Sequence, residues 1–229
     1  MTGAEADAQL LDVQTLTEEL IVRNLASRVL SDVQLSRVVV GTDQRRYHLV
    51  NRATKAGELH RLQRGLYVLD SKYRDSPPHP FALAQALGPG SYVSFETALA
   101  HHGWIPEAVR TVASVTPGRK SSAHEHSIFG SFSFHPLAIQ AGYFLELVER
   151  LQIQQQTMLV ARPIRALMDL VCLRKVEWQG MAWILAGLRI DPDALRSVTS
   201  ADFRTLELIY KQKRVRTFLK SFARELGHD

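Results

Sequence analysis

Residues 31–69 read SDVQLSRVVVGTDQRRYHLVNRATKAGELHRLQRGLYVL, and their punctuation predicts two helices followed by a hairpin. Ser31-Asp32-Val33-Gln34 is a capping box. The serine hydroxyl and the glutamine side chain can each satisfy a backbone N–H that the start of a helix leaves unpaired. A short helix therefore opens at 32, with Leu35, Val38 and Val39 turned inward. Gly41 ends it. Thr42 caps a longer helix over about 43–56, with Asp43 where the helix dipole favours an acid. Gly57 stops that helix, because glycine adopts the left-handed C-cap conformation without a Cβ penalty. Glu58 to Leu62 then alternates, Gln63-Arg64-Gly65 reads as a tight turn, and Leu66-Tyr67-Val68-Leu69 as the returning strand.

Upstream, Thr15-Leu16-Thr17-Glu18 is a second capping box. The helical spacing of Leu16, Leu20, Leu25 and Val29 predicts a first helix over about 16–29. Three helices and a hairpin with Arg61 and Arg64 at its tip are the parts of a winged helix-turn-helix. In the helix 43–56, Tyr47, Val50 and Thr54 are expected to face inward. Gln44, His48, Asn51 and Lys55 follow the same spacing on another face, flanked by Arg45, Arg46 and Arg52. Arg, Asn and Gln offer the bidentate hydrogen bonds that read base edges in a major groove, and bases at the margin meet phosphates. Gln44, Arg45, His48, Asn51 and Arg52 are thus the candidates for base edges. Arg46, Lys55, Arg61 and Arg64 are the candidates for phosphate. The plain alternative is a solvated polar helix face.

The charge is distributed accordingly. The 229 residues hold 28 Lys+Arg and 23 Asp+Glu, a net +5. Residues 1–19 carry five acids and no base. Residues 20–75 carry 11 bases and five acids, a net +6. Residues 76–203 hold ten of each, and residues 204–229 hold seven bases and three acids, a net +4. Two positive blocks around a neutral middle suit a polyanionic partner. The length fits one to two domains, and 45% hydrophobic residues can build a core. A single cysteine, Cys172, excludes an internal disulfide framework and a cysteine-based zinc site. An acidic start does not open a signal peptide. No run approaches the ~20 apolar residues of a membrane span; the nearest, Trp178 to Leu188, reads as a short buried helix. The expectation is a soluble cytoplasmic protein.

Asp75-Ser76-Pro77-Pro78-His79-Pro80 reads as a linker, since its prolines cannot continue a helix. The predicted domains are 1–75, the winged helix-turn-helix, and 76–229, a larger mixed α/β domain with a helical end. The fold class is α+β. A helix over about 80–87 ends at Gly88-Pro89-Gly90. Ser91 to Trp104 reads as a short extended entry, a Ser94 N-cap, a helix and a Gly103 stop. Strands are expected at about 109–116, 127–134 and 157–161, with Pro163 at the first position of the next helix. Asp191-Pro192 and Thr199-Ser200 start further helices. Lys211 to Leu226 forms a final helix whose Lys211, Lys213, Arg214, Arg216, Lys220 and Arg224 are expected on more than one face. That helix is either solvated or a second polyanion-binding surface.

Three stretches resemble one family. Lys55-Ala56-Gly57-Glu58-Leu59-His60-Arg61-Leu62-Gln63-Arg64-Gly65-Leu66-Tyr67-Val68 is similar to the G-x-L-x-R-x-x-R-G-x-Y wing of the AbiEi family. Tyr92-Val93-Ser94 with Thr97-Ala98-Leu99 and His102-Gly103 resembles the family's Y-[IV]-S-x-x-[ST]-A-L-x-x-[HY]-G motif. Arg162-Pro163-Ile164-Arg165-Ala166-Leu167-Met168-Asp169 resembles its A-x-P-E-R-A-L-x-D helix, with Ile164 where the family usually has Glu. The matches span roughly residues 42–173. The AbiEi proteins are the antitoxins of type IV toxin–antitoxin, or abortive-infection, systems. The resemblance implies a transcriptional repressor that binds inverted repeats in double-stranded DNA of its own promoter. It implies a monomer or weak dimer that can bind DNA cooperatively, and antagonism of a nucleotidyltransferase-like toxin.

Catalytic alternatives find little footing. Adjacent His101 and His102 on a helix point about 100° apart, and His124-Glu125-His126, placed in a loop, lacks the i, i+4 spacing of a zincin helix. Ser94, Glu96 and His101 could form a hydrolytic set only without a nucleophile elbow. Gly88-Pro89-Gly90 lacks the Lys-Ser/Thr of a phosphate loop, and Cys172 reads as a packed thiol. No metal, no cofactor and no enzymatic activity are expected. The alternatives are a protein-interaction module whose winged helix does not bind DNA, or a metal-dependent nucleic-acid-processing enzyme using the His/Glu cluster.

Overall fold

The computed structural model describes residues 15–153 and 156–228. The leader acids Glu5, Asp7 and Asp12 lie outside them. The chain is a mixed α+β protein that divides into two compact units, Met1–Leu87 and Gly88–Asp229. The division falls a whole helix later than the proline-rich segment suggests, so residues 80–87 belong with the first unit. Among the described residues, no helix is long and apolar enough to cross a membrane.

In the first unit, α1 (Leu16–Val22) opens with the Thr15–Glu18 capping box. It stops well short of residue 29. Asn24 takes φ 56, its N–H donates to the Ile21 carbonyl at 2.9 Å, and the Leu25 N–H donates to the Leu20 carbonyl at 2.9 Å. This double closure is the Schellman form of helix ending, with asparagine in place of the usual glycine. The released segment enters a sheet as β1 (Leu30–Ser31). Then come α2 (Asp32–Val38), α3 (Asp43–Lys55), β2 (Leu59–Gln63) and β3 (Leu66–Leu69). The sheet order is β1-β3-β2, all antiparallel. Leu16, Leu20, Leu30, Leu35, Val50 and Leu59 anchor one core, each worth about 1.5–3 kcal/mol of burial. The last helix of the unit, α4 (Pro80–Leu87), buries Phe81, Leu83, Ala84 and Leu87.

The second unit is built on a six-stranded mixed sheet, β6-β7-β5-β4-β9-β8. Its strands are β4 (Tyr92–Val93), β5 (Thr111–Val115), β6 (Ser122–His126), β7 (Gly130–His135), β8 (Val148–Ile153) and β9 (Gln156–Ala161). The pairs β5–β7 and β4–β9 are parallel. Helix α5 (Phe95–His101) follows β4, and α6 (Pro163–Arg174) follows β9 with Pro163 in its first turn. A single π-helical turn, Trp183–Gly187, replaces the buried helix expected over 178–188, and only Ile184 within it is buried. Short α7 (Pro192–Leu195), α8 (Ser200–Ile209) and α9 (Lys213–Glu225) complete the unit.

The helical centre of this unit is polar. Arg165 and Asp169 lie one turn apart on α6, both fully buried, with the guanidinium Nε 2.9 Å from the carboxylate. Asp169 also accepts from the Tyr92 hydroxyl at 3.0 Å, the Ser94 hydroxyl at 2.8 Å and the Tyr210 hydroxyl at 2.8 Å. Arg165 donates onward to the Tyr92 oxygen at 2.6 Å and the Glu146 carbonyl at 2.9 Å. Burial would pull the guanidinium down. Asp169, with Tyr210 and Tyr92, outweighs it and holds Arg165 above its ordinary value. Burial first, and Asp169 next, push both phenols well up, so each remains a protonated donor. A buried charge pair is tolerated when its remaining hydrogen-bonding sites are filled in this way. Ser94 stands at the N-cap position of α5 as expected, but its hydroxyl caps nothing; it serves this network instead. Ile164, beside the network, is buried.

Candidate nucleic-acid interface

The face of α3 is fixed by its ends and its buried stripe. The Thr42 hydroxyl accepts the Arg45 N–H at 3.2 Å. At the other end Gly57 takes φ 68, and the Gly57 and Glu58 N–H groups close onto the Thr54 and Ala53 carbonyls. Val50 and Ala53 are buried and Leu49 is partly buried. The inward stripe is therefore 49/50/53. The expected Tyr47/Val50/Thr54 stripe is wrong at both ends: Tyr47 is 65% exposed, and Thr54 is exposed with its hydroxyl on the Val50 carbonyl at 2.8 Å. Ala53, rather than Tyr47 or Thr54, completes the inward face with Val50.

With that stripe buried, Gln44, His48, Arg52 and Lys55 are exposed and Asn51 is half-exposed. Arg45, His48, Asn51, Arg52 and Lys55 line one surface hollow with Tyr47. Two of the nominated arginines are held by the protein. Arg45 donates from Nη1 to the Val40 carbonyl at 2.7 Å, bracing α3 against the chain that leaves α2. Arg46 pairs with Asp43 of its own helix at 2.8 Å and is half-buried.

The hairpin lines a neighbouring hollow. Arg61 and Arg64 are exposed on β2 and its turn. With Arg46, Tyr47, Asp32 and Asp43 they line a hollow of about 220 Å³. The turn is held to α2 by the Asp32 N–H, which donates to the Gly65 carbonyl at 3.0 Å. Gly65 takes φ 79, and a Cβ built there would stand 3.0 Å from the Asp32 carboxylate. All nine nominated side chains thus belong to α3 or the hairpin beside it. Tyr47, which touches both hollows and meets the His48 ring edge-on at 6.1 Å, is the residue that the sequence did not nominate. Its position within Arg45-Arg46-Tyr47-His48 was the available signal.

The remaining candidates are scattered. His101 is exposed, while His102 Nε2 lies 3.0 Å from the Ala161 carbonyl. His124-Glu125-His126 is not a loop but edge strand β6, on which the two histidines share one face and Glu125 the other. Among the described residues no group of three metal-ligating side chains assembles. Glu96 pairs with Arg174, and Ser94 is buried on Asp169. Burial pushes the Cys172 thiol up to about 11. The terminal bases also sort themselves. Arg214 is turned inward onto the Val171 and Val176 carbonyls at 3.2 and 2.7 Å, capping the C-terminal end of α6. Lys213, Arg216, Lys220 and Arg224 then form a single stripe of α9, opposite buried Val215, Phe218, Leu219 and Phe222. No protein-family model matches the chain, and no curated protein matches it.

Proposed function

We propose that the first unit is a winged helix-turn-helix and that the chain is a cytoplasmic DNA-binding repressor and antitoxin of the AbiEi kind. In this reading α2 and α3 are the reading pair, and the β2–β3 hairpin is the wing. The observation that carries it is that two hollows, one lined by the polar face of α3 and one by Arg46 with the Arg61/Arg64 hairpin, adjoin at Tyr47. Gln44, His48, Asn51 and Arg52 would address base edges. Lys55, Arg61 and Arg64 would address phosphates, joined by Arg46 once DNA competes for Asp43, while Arg45 would join the base-edge set on leaving the Val40 carbonyl. The bound DNA would be inverted repeats in the chain's own promoter, occupied by a monomer or weak dimer.

The antitoxin role, antagonism of a nucleotidyltransferase-like toxin, rests on the resemblance. Its support is that the two C-terminal motifs meet physically: Tyr92 and Ser94 of one hydrogen-bond to Asp169 of the other. In this reading the motif residues maintain a fold and perform no catalysis.

A gel-shift series on the DNA upstream of the chain's own gene tests the binding. The expected result is a shift that weakens with salt, with Arg61→Ala and Arg64→Ala each flattening the salt slope by about one unit. Asn51→Ala should relax sequence preference, at a cost of roughly 1–3 kcal/mol on the right operator. Absence of a shift at low salt would overturn the reading. Co-expression with any nucleotidyltransferase that the neighbouring gene proves to encode tests the antitoxin role, and unrelieved toxicity would refute it.

A further inference from the structure

Tyr47 is the one large hydrophobic side chain that α3 exposes, with 65% of its surface open to solvent. The stripe 49/50/53 takes the helix inward and leaves this ring outside the core. Tyr47 stands one turn before Asn51, and the two line the same hollow with Arg45, His48, Arg52 and Lys55. On its other side it borders the hollow that holds Arg46, Arg61 and Arg64. The ring of His48 meets the tyrosine ring edge-on at 6.1 Å. An apolar ring is thus set among hydrogen-bonding side chains, between the polar face of the helix and the hairpin.

We propose, resting on the DNA-binding reading above, that Tyr47 is a specificity-determining residue whose ring covers the methyl group of a thymine in the bound duplex. Gln44, Arg45, His48, Asn51 and Arg52 are hydrogen-bonding groups, suited to the donors and acceptors of base edges. Thymine alone adds a methyl group to the major-groove edge, and that group is read by apolar contact. Tyr47 is the large apolar group beside those donors. A phenol hydroxyl can also reach phosphate. The adjoining hollow, however, already holds three guanidiniums, whose charge-assisted hydrogen bonds to phosphate are roughly twice as strong as neutral ones. The ring, not the hydroxyl, is therefore what Tyr47 contributes. Along the helix axis Tyr47 and Asn51 are about 6 Å apart, less than two base-pair steps of about 3.4 Å. Asparagine pairs with adenine, so the thymine lies within about two base pairs of the adenine that Asn51 addresses.

Binding of the full chain to the duplex upstream of its own gene, with each thymine replaced in turn by uracil, tests this, because uracil lacks only the methyl group. The expected result by fluorescence anisotropy is one thymine per bound chain whose replacement weakens binding about fourfold, the effect of one buried methyl group. That thymine should lie within about two base pairs of the position at which Asn51→Ala relaxes preference. Tyr47→Ala should bind the thymine duplex about fourfold more weakly or worse, and should be indifferent to uracil at that position. Tyr47→Phe keeps the ring and should keep the uracil sensitivity. Four results overturn this inference alone: wild-type binding with no uracil effect at any position, a sensitive thymine far from the Asn51 position, equal uracil sensitivity in Tyr47→Ala, or its loss in Tyr47→Phe. Absence of wild-type binding at low salt overturns the DNA-binding reading, and this inference with it.

Discussion

The Ser94 hydroxyl donates to Asp169 Oδ2 at 2.8 Å across 75 residues of sequence, with both groups fully buried. The bond fixes the entry to α5 against the middle of α6, and the Arg165–Asp169 pair completes the junction. Removing one ion leaves the other charged and uncompensated. Asp169→Leu or Arg165→Met alone should therefore cost about 3–5 kcal/mol, and the double variant much less than the sum. Ser94→Ala should cost about 1.5–3 kcal/mol, as for a lost hydrogen bond to a charged group. Urea unfolding followed by tryptophan fluorescence reports this unit, which holds Trp104, Trp178 and Trp183. Additive losses in the double variant would show that the pair is not coupled.

Asp43 restrains Arg46 in the unbound chain, so the two residues oppose each other in any DNA contact. Asp43→Asn should lower stability slightly, by about 0.3–1 kcal/mol, because the helix loses an acid at its N-terminus. It should nevertheless raise affinity for all DNA and steepen the salt slope by about one unit if Arg46 moves to a phosphate. Affinity measured by fluorescence anisotropy across a salt series checks this, and an unchanged slope would mean that Arg46 stays on its own helix.

Two glycines separate backbone strain from crowding. Gly57 and Gly65 both have left-handed φ, but a Cβ at Gly57 meets nothing within 4 Å while one at Gly65 meets the Asp32 carboxylate at 3.0 Å. Gly57→Ala should cost about 1–2 kcal/mol from conformation alone. Gly65→Ala should cost more and should also weaken DNA binding, because it disturbs the hairpin turn that carries Arg64. Equal losses would mean that Asp32 moves aside without consequence.

Two histidines predict an acid-side loss of stability. Burial lowers both His79 and His135 below the ordinary 6.5. His79 Nδ1 moreover accepts the Phe81 N–H at 3.2 Å, which requires an unprotonated ring nitrogen. Since the folded state binds these protons less readily than the unfolded state, stability is full above about 6.5 and falls as pH drops through the folded values. Asp70 adds a lower window. The His60 hydrogen bond, followed by the Lys72 N–H, holds its carboxyl below 3.8, so its contribution is present above that value and is lost beneath it. Melting temperatures across this range should fall in two stages. The variant His79→Asn/His135→Gln should flatten the upper stage and leave the lower one.

Local signals in the sequence predicted local structure well. The capping boxes at Thr15 and Ser31, the Thr42 cap and the Gly57 stop all form, because each depends on residues three or four apart. Strands β1, β6 and β8 were missed for the opposite reason. Leu30–Ser31 becomes a strand only by pairing with residues 66–67, and Ser122–His126 is a polar edge whose partner β7 supplies the apolar face. Tyr47 faces outward where an inward position is expected, because helical spacing identifies a stripe without saying which stripe the core takes. The Asp169 network was invisible as a network. Tyr92 and Ser94 belong to one motif, Arg165 and Asp169 to another and Tyr210 to none, and nothing in their spacing joins positions 92, 94, 169 and 210.

Tyr210 follows Asp169 by 41 residues, and Arg214, which caps α6, follows it by more. A ribosome therefore releases α6 with its carboxylate short of one donor and its C-terminal carbonyls uncapped. The first unit closes on residues already synthesised, since the cluster that joins its helices and hairpin is complete by Leu69 and its last helix ends at Leu87. During translation the polar face of α3 should thus mature first, while the second unit waits for its last helix. In the DNA-binding reading proposed above, a nascent chain is able to occupy an operator before the remainder of the molecule is able to act.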